Sequence, residues 1–220
     1  MTQIFFREIK RLKTLLLEQG EAVEEQVRLA KKALLGMDLK LAAEVIANDD
    51  AIDQREVDLQ EECFKLLALH QPVAVDLRFL VAVLKFNNDL ERIADLAGNV
   101  AKRTIKMHEL GDSELVYDFA EMSSIARQML HQAMAALVDI DAEATADVFN
   151  LEKSLNRLHK TNSNIIRQTL KKNPERAESL VHQLVISRNM ERIGDLATNL
   201  AEEVIYVARG EIVRHSDSPL

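Results

Sequence analysis

The stretch 88–101, NDLERIADLAGNVA, occurs a second time at 188–201 as RNMERIGDLATNLA. Eight residues of the first copy recur one hundred positions later: Glu91, Arg92, Ile93, Asp95, Leu96, Ala97, Asn99 and Ala101. A helical pattern alone would keep apolar residues apolar, but it would not keep acidic and amide side chains in register. Residues four apart lie on one face of an α-helix, so Glu91, Asp95 and Asn99 form a ridge of oxygen atoms. The repeat predicts two related helical halves.

The composition of the 220 residues favours an all-helical protein. The hydrophobic fraction of 47% is typical of a globular chain, so disorder is not expected. Three prolines and six glycines leave little material for turns, while good helix formers abound. The formal charge of −8 argues against a nucleic-acid partner, because attraction to phosphates needs a basic face.

The expected location is cytoplasmic. Charged residues at Arg7, Glu8 and Lys10 follow the first residue too closely for a secretion signal. No run of eighteen or more apolar residues is present, so direct membrane insertion is not expected. Any place at the inner membrane would come through partners. The one cysteine, Cys63, lies in an apolar stretch and is expected to be a buried small hydrophobe.

Apolar periodicity and turn signals predict six long helices, three in each half. In the first half, residues 1–110, the expected helices cover about 4–35, 39–70 and 73–108. In the second half, residues 111–210, they cover about 113–138, 142–171 and 175–209. Asp38 and Asp112 or Ser113 are the expected caps of the second and fourth helices. The segment 211–220 has no apolar periodicity and is expected to be a flexible tail.

Short connections make consecutive helices antiparallel neighbours, so each half is expected to be an up-down-up bundle. The segment between the halves is not rich in proline, glycine or serine, which indicates that the halves pack together. The predicted fold is therefore all-α, with two pseudo-symmetric antiparallel three-helix bundles packed into one molecule.

The helix before each copy of the repeat carries more side chains of the same kind at the same spacing. On the second predicted helix these are Asp49, Asp53 and Glu56, and on the fifth they are Glu152, Asn156 and His159. Because neighbouring helices are antiparallel, the two ridges of each half can face one another. Converging carboxylates repel by about 1 kcal/mol per pair in water and about 4 kcal/mol near a protein surface.

A multivalent cation is the most economical compensation for such a cluster. Carboxylate and amide oxygens are hard ligands that suit Mg²⁺, Mn²⁺, Ca²⁺ or iron. A single Glu-x-x-x-Asp pair is common on solvated helix faces and would carry little weight. The recurrence on four helices is what favours a metal site.

The motifs ERIADLAGN and ERIGDLATN, with QPVAVDLRFL before the first copy and NDDAID on the preceding helix, closely resemble those of the PhoU family. The resemblance covers nearly the whole chain. It implies a negative regulator of phosphate uptake and of phosphate-regulon signalling, without enzymatic activity. It further implies a cytoplasmic adaptor between the ATPase of the phosphate ABC transporter and the sensor histidine kinase. A homodimer is also expected.

Members of this family are similar in holding metal, including multinuclear iron, in their paired motifs. The resemblance implies divalent or trivalent ions, among which iron, magnesium, manganese and zinc all stay open. Carried onto this chain, it implies a first site formed by Asp49, Asp53, Glu91 and Asp95. It implies a second site formed by Glu152, Glu191 and Asp195. Asn156 stands where the family pattern has an aspartate, so the second site is expected to be the weaker one.

Two other functions stay open on the sequence. A carboxylate metalloenzyme of the di-iron kind uses Glu-x-x-His on two helices, and none of the six histidines here has a glutamate three residues before it. A metal-free scaffold is the second alternative, because exposed like charges four residues apart on a helix cost only about 0.3 kcal/mol. No glycine-rich phosphate loop indicates a kinase or an ATPase, and no basic cluster at a helix start indicates direct phosphate binding.

Overall fold

The computed structural model describes residues 3–211 and 213, and within that part of the chain all regular structure is helical. The α-helices described are α1 (Gln3–Gly36), α2 (Leu39–Ala47), α3 (Asp49–His70), α4 (Ala74–Glu109), α5 (Phe119–Asp139), α6 (Ala146–Lys172) and α7 (Ala177–Arg209). Short 3-10 turns precede α6 and α7 at Glu143–Thr145 and Pro174–Arg176. The all-α class and the two three-helix bundles are confirmed. The predicted tail falls largely outside the described residues.

Several helix ends follow the local sequence. The Asp38 carboxylate accepts a hydrogen bond from the Leu41 amide at 3.0 Å, which confirms it as the cap of α2. Gly111, with φ of 69°, follows the end of α4. The left-handed residue after α1 is Met37 and not Gly36, so the expected glycine stop is displaced by one residue.

None of the described helices is long and apolar enough to cross a membrane.

The second predicted helix, 39–70, is divided into α2 and α3, which corrects its bounds. The division lies at Asn48, whose φ of −75° and ψ of −13° still belong to the helical region. Asn48, Asp49 and Asp50 are three consecutive poor helix formers, which explains the break. The consequence is that Asp49 is the first residue of a helix, where the helix dipole favours a negative charge.

The fourth helix begins at Phe119, not at 113, and its cap is Asp118. The Asp118 carboxylate accepts a hydrogen bond from the Ala120 amide at 2.8 Å. The predicted caps fail because the segment before the helix is held by α7. Gln183 Nε2 donates to the Glu114 carbonyl at 2.9 Å, and the Val116 amide donates to Gln183 Oε1 at 3.0 Å. These backbone groups therefore need no helical partner.

The two halves meet along α4 and α7, which share the most extensive helix interface in the described part of the molecule. The two helices are antiparallel. Lys85 Nζ donates to Glu203 Oε1 at 2.9 Å near one end, and Arg103 Nη1 lies 3.3 Å from His182 Nδ1 near the other. The Glu203 side chain is only 4% exposed, so this ion pair joins the halves from inside the interface.

The apolar core runs continuously through both halves. The repeated isoleucines Ile93 and Ile193 both lie in it, and Cys63 is fully buried as expected. Burial raises the pKa of the Cys63 thiol to about 12, so it is an inert thiol. Burial of an aliphatic side chain such as Ile93 contributes about 1.5–3 kcal/mol to the stability of the fold.

One end of the first half exposes many large apolar side chains. The start of α1, the end of α3 and the start of α4 meet there, because the Phe5 and His70 rings lie 5.1 Å apart and Lys13 Nζ lies 5.1 Å from the Phe79 ring centre. We call this surface the apolar end, and its exposed members are Ile4, Phe6, Phe64, Leu69, Val73, Val75 and Leu77. The Leu69 side chain is 75% exposed and that of Phe6 61%.

Candidate metal centres

The four residues predicted for the first site come together between α3 and α4. Two hydrogen bonds fix the register of α3: Asn87 Nδ2 donates to the Glu56 carbonyl at 2.7 Å, and Gln19 Nε2 donates to the Ile52 carbonyl at 3.2 Å. In this register the start of α3 lies beside the middle of α4. We call Asp49, Asp53, Glu91 and Asp95 the first cluster.

Mutual repulsion marks the electrostatics of the first cluster. Burial, followed by the charges of Asp95 and Asp53, raises the pKa of Asp49. Burial, followed by Asp95, Asp53 and Glu56, likewise raises the pKa of Glu91. Asp49 Oδ1 is buried and accepts no hydrogen bond from any described residue. The negative charge of the cluster is therefore not fully compensated by the protein, and a bound cation would compensate it.

The small residue Gly98 leaves space beside Asp49. A Cβ atom at this position would lie 3.6 Å from Asp49 Oδ2, an ordinary contact with nothing nearer. Lys102, one turn further along α4, partly opposes the rise in the pKa of Asp49. The first cluster is thus bounded on this side by a positive charge.

The three residues predicted for the second site also come together, here between α6 and α7, and we call Glu152, Glu191 and Asp195 the second cluster. Burial, followed by Asp195 and Glu202, raises the pKa of Glu152. Burial, followed by Glu191, raises the pKa of Asp195. The Glu191 carboxylate has a basic neighbour on its own helix: Arg188 Nη1 donates to Glu191 Oε1 at 3.0 Å.

The neighbours of the second cluster differ from those of the first. His159 takes the place of Glu56, and its Nδ1 lies 2.9 Å from Ser187 Oγ. Burial, followed by the charge of Arg188, lowers the pKa of His159. Gly194 does not make room for an ion: a Cβ there would overlap Leu155 Cδ2. This glycine allows close packing of α6 on α7.

Sequence reasoning missed one difference beside the clusters. Glu202 occupies the place of Lys102, so one half carries a negative charge where the other carries a positive one. The compared repeat ends at residue 201, so extending the comparison by one residue would have found this difference. Glu202 lines a groove between the halves, which only the fold brings together.

The donor chemistry of both clusters fits hard metal ions, since carboxylate oxygens predominate. The Asp49 Oδ1 atom, which has no hydrogen-bond partner among the described residues, agrees with an ion bound at the first cluster. Among the described residues, no three acidic, histidine or cysteine side chains already surround one metal position. Ion binding would therefore require side-chain rotation, which the exposed Asp53 and Asp95 can undergo.

The fold and these clusters define a duplicated helical-bundle protein with one carboxylate cluster in each half. The family model described as the PhoU domain matches residues 16–104 and 119–204. This chain belongs to the PhoU family.

Relatives and solved structures of this family resemble the whole chain. The "phosphate-specific transport system accessory protein PhoU homolog" of Pseudomonas aeruginosa is 37% identical over 216 residues, covering 98% of this chain and 89% of that protein. The homolog of Aquifex aeolicus is 31% identical, covering 96% and 95% of the two chains. The crystal structure of PhoU from Pseudomonas aeruginosa superposes with a TM-score of 0.90 at 36% identity, covering 94% of this chain and all of that one. The regulatory protein PhoU from Streptococcus pneumoniae gives a TM-score of 0.86 at 27% identity, covering 95% and 99%.

Proposed function

We propose that this chain is an accessory protein of phosphate-specific transport and a negative regulator of phosphate uptake and phosphate-regulon signalling. It acts as a metal-binding adaptor between the ATPase of the phosphate ABC transporter and the sensor histidine kinase, without catalysing a reaction. The observation that carries the proposal is the near full-length similarity to phosphate-transport accessory proteins, combined with one carboxylate cluster in each half.

Metal ions, when bound, would neutralise the clusters and cross-link α3 to α4 and α6 to α7. Iron, magnesium, manganese and zinc are the candidate ions, bound singly or as multinuclear clusters. In the first half, Asp49, Asp53, Glu91 and Asp95 would hold the ion, and in the second half Glu152, Glu191 and Asp195 would do so. The raised pKa values of Asp49 and Glu91 support this role, because they reflect burial together with negative charges that the fold holds close to one another.

Elemental analysis of the full chain, purified without a chelator, tests the metal part of the proposal. We expect bound metal in the wild type and a clear loss in Asp95→Asn combined with Asp195→Asn. A matched control is Asp50→Asn, since Asp50 is exposed on α3 and outside the first cluster. Metal-free wild-type protein whose stability is unchanged by the double substitution would contradict the metal site and favour a plain scaffold.

The apolar end supports a protein partner. Contiguous exposed apolar side chains on a folded chain commonly mark an interaction surface. Leu69, Val73 and Val75 are each more than half exposed. Leu69 lies near the end of α3, Val73 in the connection and Val75 at the start of α4. A transporter ATPase or a kinase that covers this surface would remove it from water, which is the driving force expected of such a contact.

Pull-down with the transporter ATPase and with the sensor kinase tests the adaptor part. We expect Phe6→Ser combined with Leu69→Ser to weaken at least one of the two contacts. Val181→Ser is the matched control, because Val181 is 52% exposed but lies on α7, outside the apolar end. Absence of both contacts in the wild type would contradict the adaptor. The homodimer is part of the proposal, and sedimentation at two protein concentrations tests it.

A further inference from the structure

The connection that leads into α4 differs in polarity from its counterpart before α7. Val73 and Val75 are 67% and 55% exposed. One hundred positions later, in register with the repeated motif, Asn173 and Glu175 take their places. Both pairs lie where one long helix ends and the next begins. The fold therefore does not require exposed apolar side chains at this turn, and another cause must account for them in the first half.

The ends of the preceding helices show the same contrast. Phe64 and Leu69 of α3 are 52% and 75% exposed. In the alignment that places the acidic positions of α3 on those of α6, they correspond to Arg167 and Lys172. Charged side chains are well solvated, whereas exposed apolar side chains gain free energy when they are covered. Of the two corresponding ends, the apolar end is the one that favours a covering partner.

The backbone of the connection between α3 and α4 has an unusual conformation. Gln71 and Ala74 both have positive φ values, 45° and 50°. This left-handed region is uncommon for residues other than glycine. Such residues cluster at segments that bind ligands or partners. The two residues flank Pro72 and Val73, so an apolar side chain stands on a backbone that the fold holds in a rare conformation.

Arg78, one turn after the start of α4, is a cation without a partner among the described residues. Its Nε is buried and makes no hydrogen bond there. The guanidinium group lies against the end of α7, since a Cβ at Gly210 would be 3.6 Å from Arg78 Cζ. Val75 is three residues before Arg78 and shares its helix face, whereas Asp76 does not. Because the arginine fork matches a carboxylate, Arg78 offers an unfilled carboxylate position beside the apolar end.

The start of α1 adds positive charge to the same end. Residues 4–14 contain four basic side chains and one acidic side chain, in a chain whose formal charge is −8. The acidic one is already engaged, because His70 Nε2 lies 2.6 Å from Glu8 Oε2. Lys13 Nζ lies 5.1 Å from the ring centre of Phe79, which places α1 beside the start of α4. The apolar end is thus bordered by basic side chains on two helices.

We propose that the apolar end and Arg78 together bind a segment of a protein partner that carries apolar side chains next to a carboxylate. Its apolar side chains cover Leu69, Val73 and Val75, and its carboxylate accepts hydrogen bonds from Arg78. A segment without a carboxylate would leave the Arg78 guanidinium unpaired in the contact and would bind less well. This inference rests on the adaptor part of the proposed function and identifies the surface that holds one of its two partners.

The mixed charges of this end favour a protein segment over an anionic membrane. Asp76 lies between Val75 and Leu77, which are 55% and 41% exposed. Its carboxylate would repel the phosphates of a lipid surface that covered these side chains. A protein segment places its charges individually, so a carboxylate can meet Arg78 without meeting Asp76.

Calorimetric titration of the full chain with the purified transporter ATPase, and separately with the purified sensor kinase, tests the proposal. We expect Arg78→Glu to weaken binding of one partner about tenfold or more, because like charges then face each other. Arg78→Lys should weaken the same contact about threefold, since lysine cannot form the fork. Arg167→Glu is the matched control: Arg167 is exposed at the corresponding end of the second half, and its change should alter affinity less than about twofold.

Val73→Ser keeps the test decisive if Arg78→Glu fails to fold. Val73 is 67% exposed in the connection, so this variant should unfold at the wild-type temperature. It should weaken the same partner about fivefold, because less apolar surface is covered. Unchanged affinities in both variants, with wild-type binding intact, would overturn this surface and leave the adaptor standing. Absence of binding to both partners by the wild type would instead overturn the adaptor itself.

A photoreactive cross-linker at Leu69 identifies what covers the apolar end in the complex. We expect a cross-link to a segment of the affected partner in which Asp or Glu stands beside apolar residues. A cross-link to a segment without a carboxylate, to a second copy of this chain or to residues 212–220 of the same chain would overturn the proposal. So would binding to phosphatidylglycerol vesicles that Arg78→Glu abolishes while both partner affinities stay unchanged.

Discussion

At the scale of single residues, Arg176 determines the conformation of the connection between the halves. Its Nε and Nη2 donate to the two oxygens of Asp112 at 2.7 and 2.8 Å, and Nη2 also donates to the Glu114 carbonyl at 2.8 Å. The hydrogen bond from Arg176 holds the pKa of Asp112 below its ordinary value. This forked contact keeps the segment before α5 against the start of α7.

Arg176→Lys should lower the free energy of unfolding by about 1–2 kcal/mol, because lysine cannot reproduce the fork. Urea denaturation near neutral pH measures the effect. Since the folded pKa of Asp112 is depressed, its contribution is complete above the unfolded pKa and is lost as the pH falls through the folded pKa. The difference between wild type and variant should therefore shrink in acid.

Arg28→Lys is the control for this prediction. Arg28 makes a similar forked contact with Glu25 at 2.6 Å for both bonds, but the two side chains are about half exposed, at 47% and 51%. Such a solvated surface pair contributes little to the free energy of unfolding. Equal losses in the two variants would show that burial of the Arg176 contact has no effect.

Cap residues illustrate what local sequence can predict at this scale. Asp38 was predictable, since its carboxylate bonds an amide only three residues away. Asp112 has the same chemistry, but Arg176, which is distant in sequence, takes its carboxylate, and Asp118 becomes the cap of α5. A pattern of neighbouring residues contains no information on that competition.

At the scale of helices, the two small residues of the repeated motif have different roles. A Cβ at Gly98 would meet only ordinary contacts with Asp49, whereas a Cβ at Gly194 would overlap Leu155 and approach Met129 Sδ to 3.3 Å. The sequence could not separate space for an ion from close helix packing. The structure shows room for a methyl group beside the Asp49 carboxylate at Gly98, and close helix packing at Gly194.

Gly98→Ala should stabilise the metal-free protein by about 0.5–1 kcal/mol, because alanine is the better helix former and fits without overlap. Gly194→Ala should destabilise it by about 1 kcal/mol, because overpacking outweighs the same gain in helix propensity. Thermal and urea unfolding measure both. Leu155→Val should raise the stability of the Gly194→Ala variant, because the shorter side chain relieves the overlap. An equal rise in stability when Leu155→Val is made in the wild type would contradict the overlap.

Helix periodicity gave the positions of α1, α4, α6 and α7 to within a few residues, because each carries a long apolar stripe. The break at Asn48 escaped that method, since the apolar stripe of α2 continues into α3. The paired clusters were predictable from the repeat, which preserves polar residues in register. Glu202 was not predicted as a site residue, because only the folded structure places it on the wall of the groove, beside Thr198.

At the scale of the whole molecule, the clusters predict an unusual dependence of stability on pH. Burial and neighbouring carboxylates raise the folded pKa of Asp49, Glu91, Glu152 and Asp195. A carboxyl whose folded pKa exceeds its unfolded pKa binds protons more readily in the folded state. Its protonation therefore stabilises the fold as the pH falls from above the folded pKa toward the unfolded one.

The metal-free chain should accordingly become more stable as the pH falls from neutral toward the ordinary pKa of a carboxyl group, as measured by urea denaturation in the presence of a chelator. Added Mn²⁺ should stabilise it most near neutral pH, where the carboxylates are ionised, and progressively less in acid. Asp49→Asn should raise the metal-free stability at pH 7 and flatten the dependence. A monotonic loss of stability over the same acidification would contradict the burial and repulsion of these carboxylates.

The antiparallel contact of α4 with α7 also has a consequence for the kinetics of opening. Ile93 of α4 and Ile193 of α7 are both buried in the core, and the Lys85–Glu203 ion pair joins the two helices. Water can reach the inner amides of α4 and α7 only if the halves separate, whereas the outer helices can fray alone. The slowest hydrogen exchange should therefore be shared by both central helices, at rates set by global unfolding. Duplication has in this way produced one cooperative unit from two bundles.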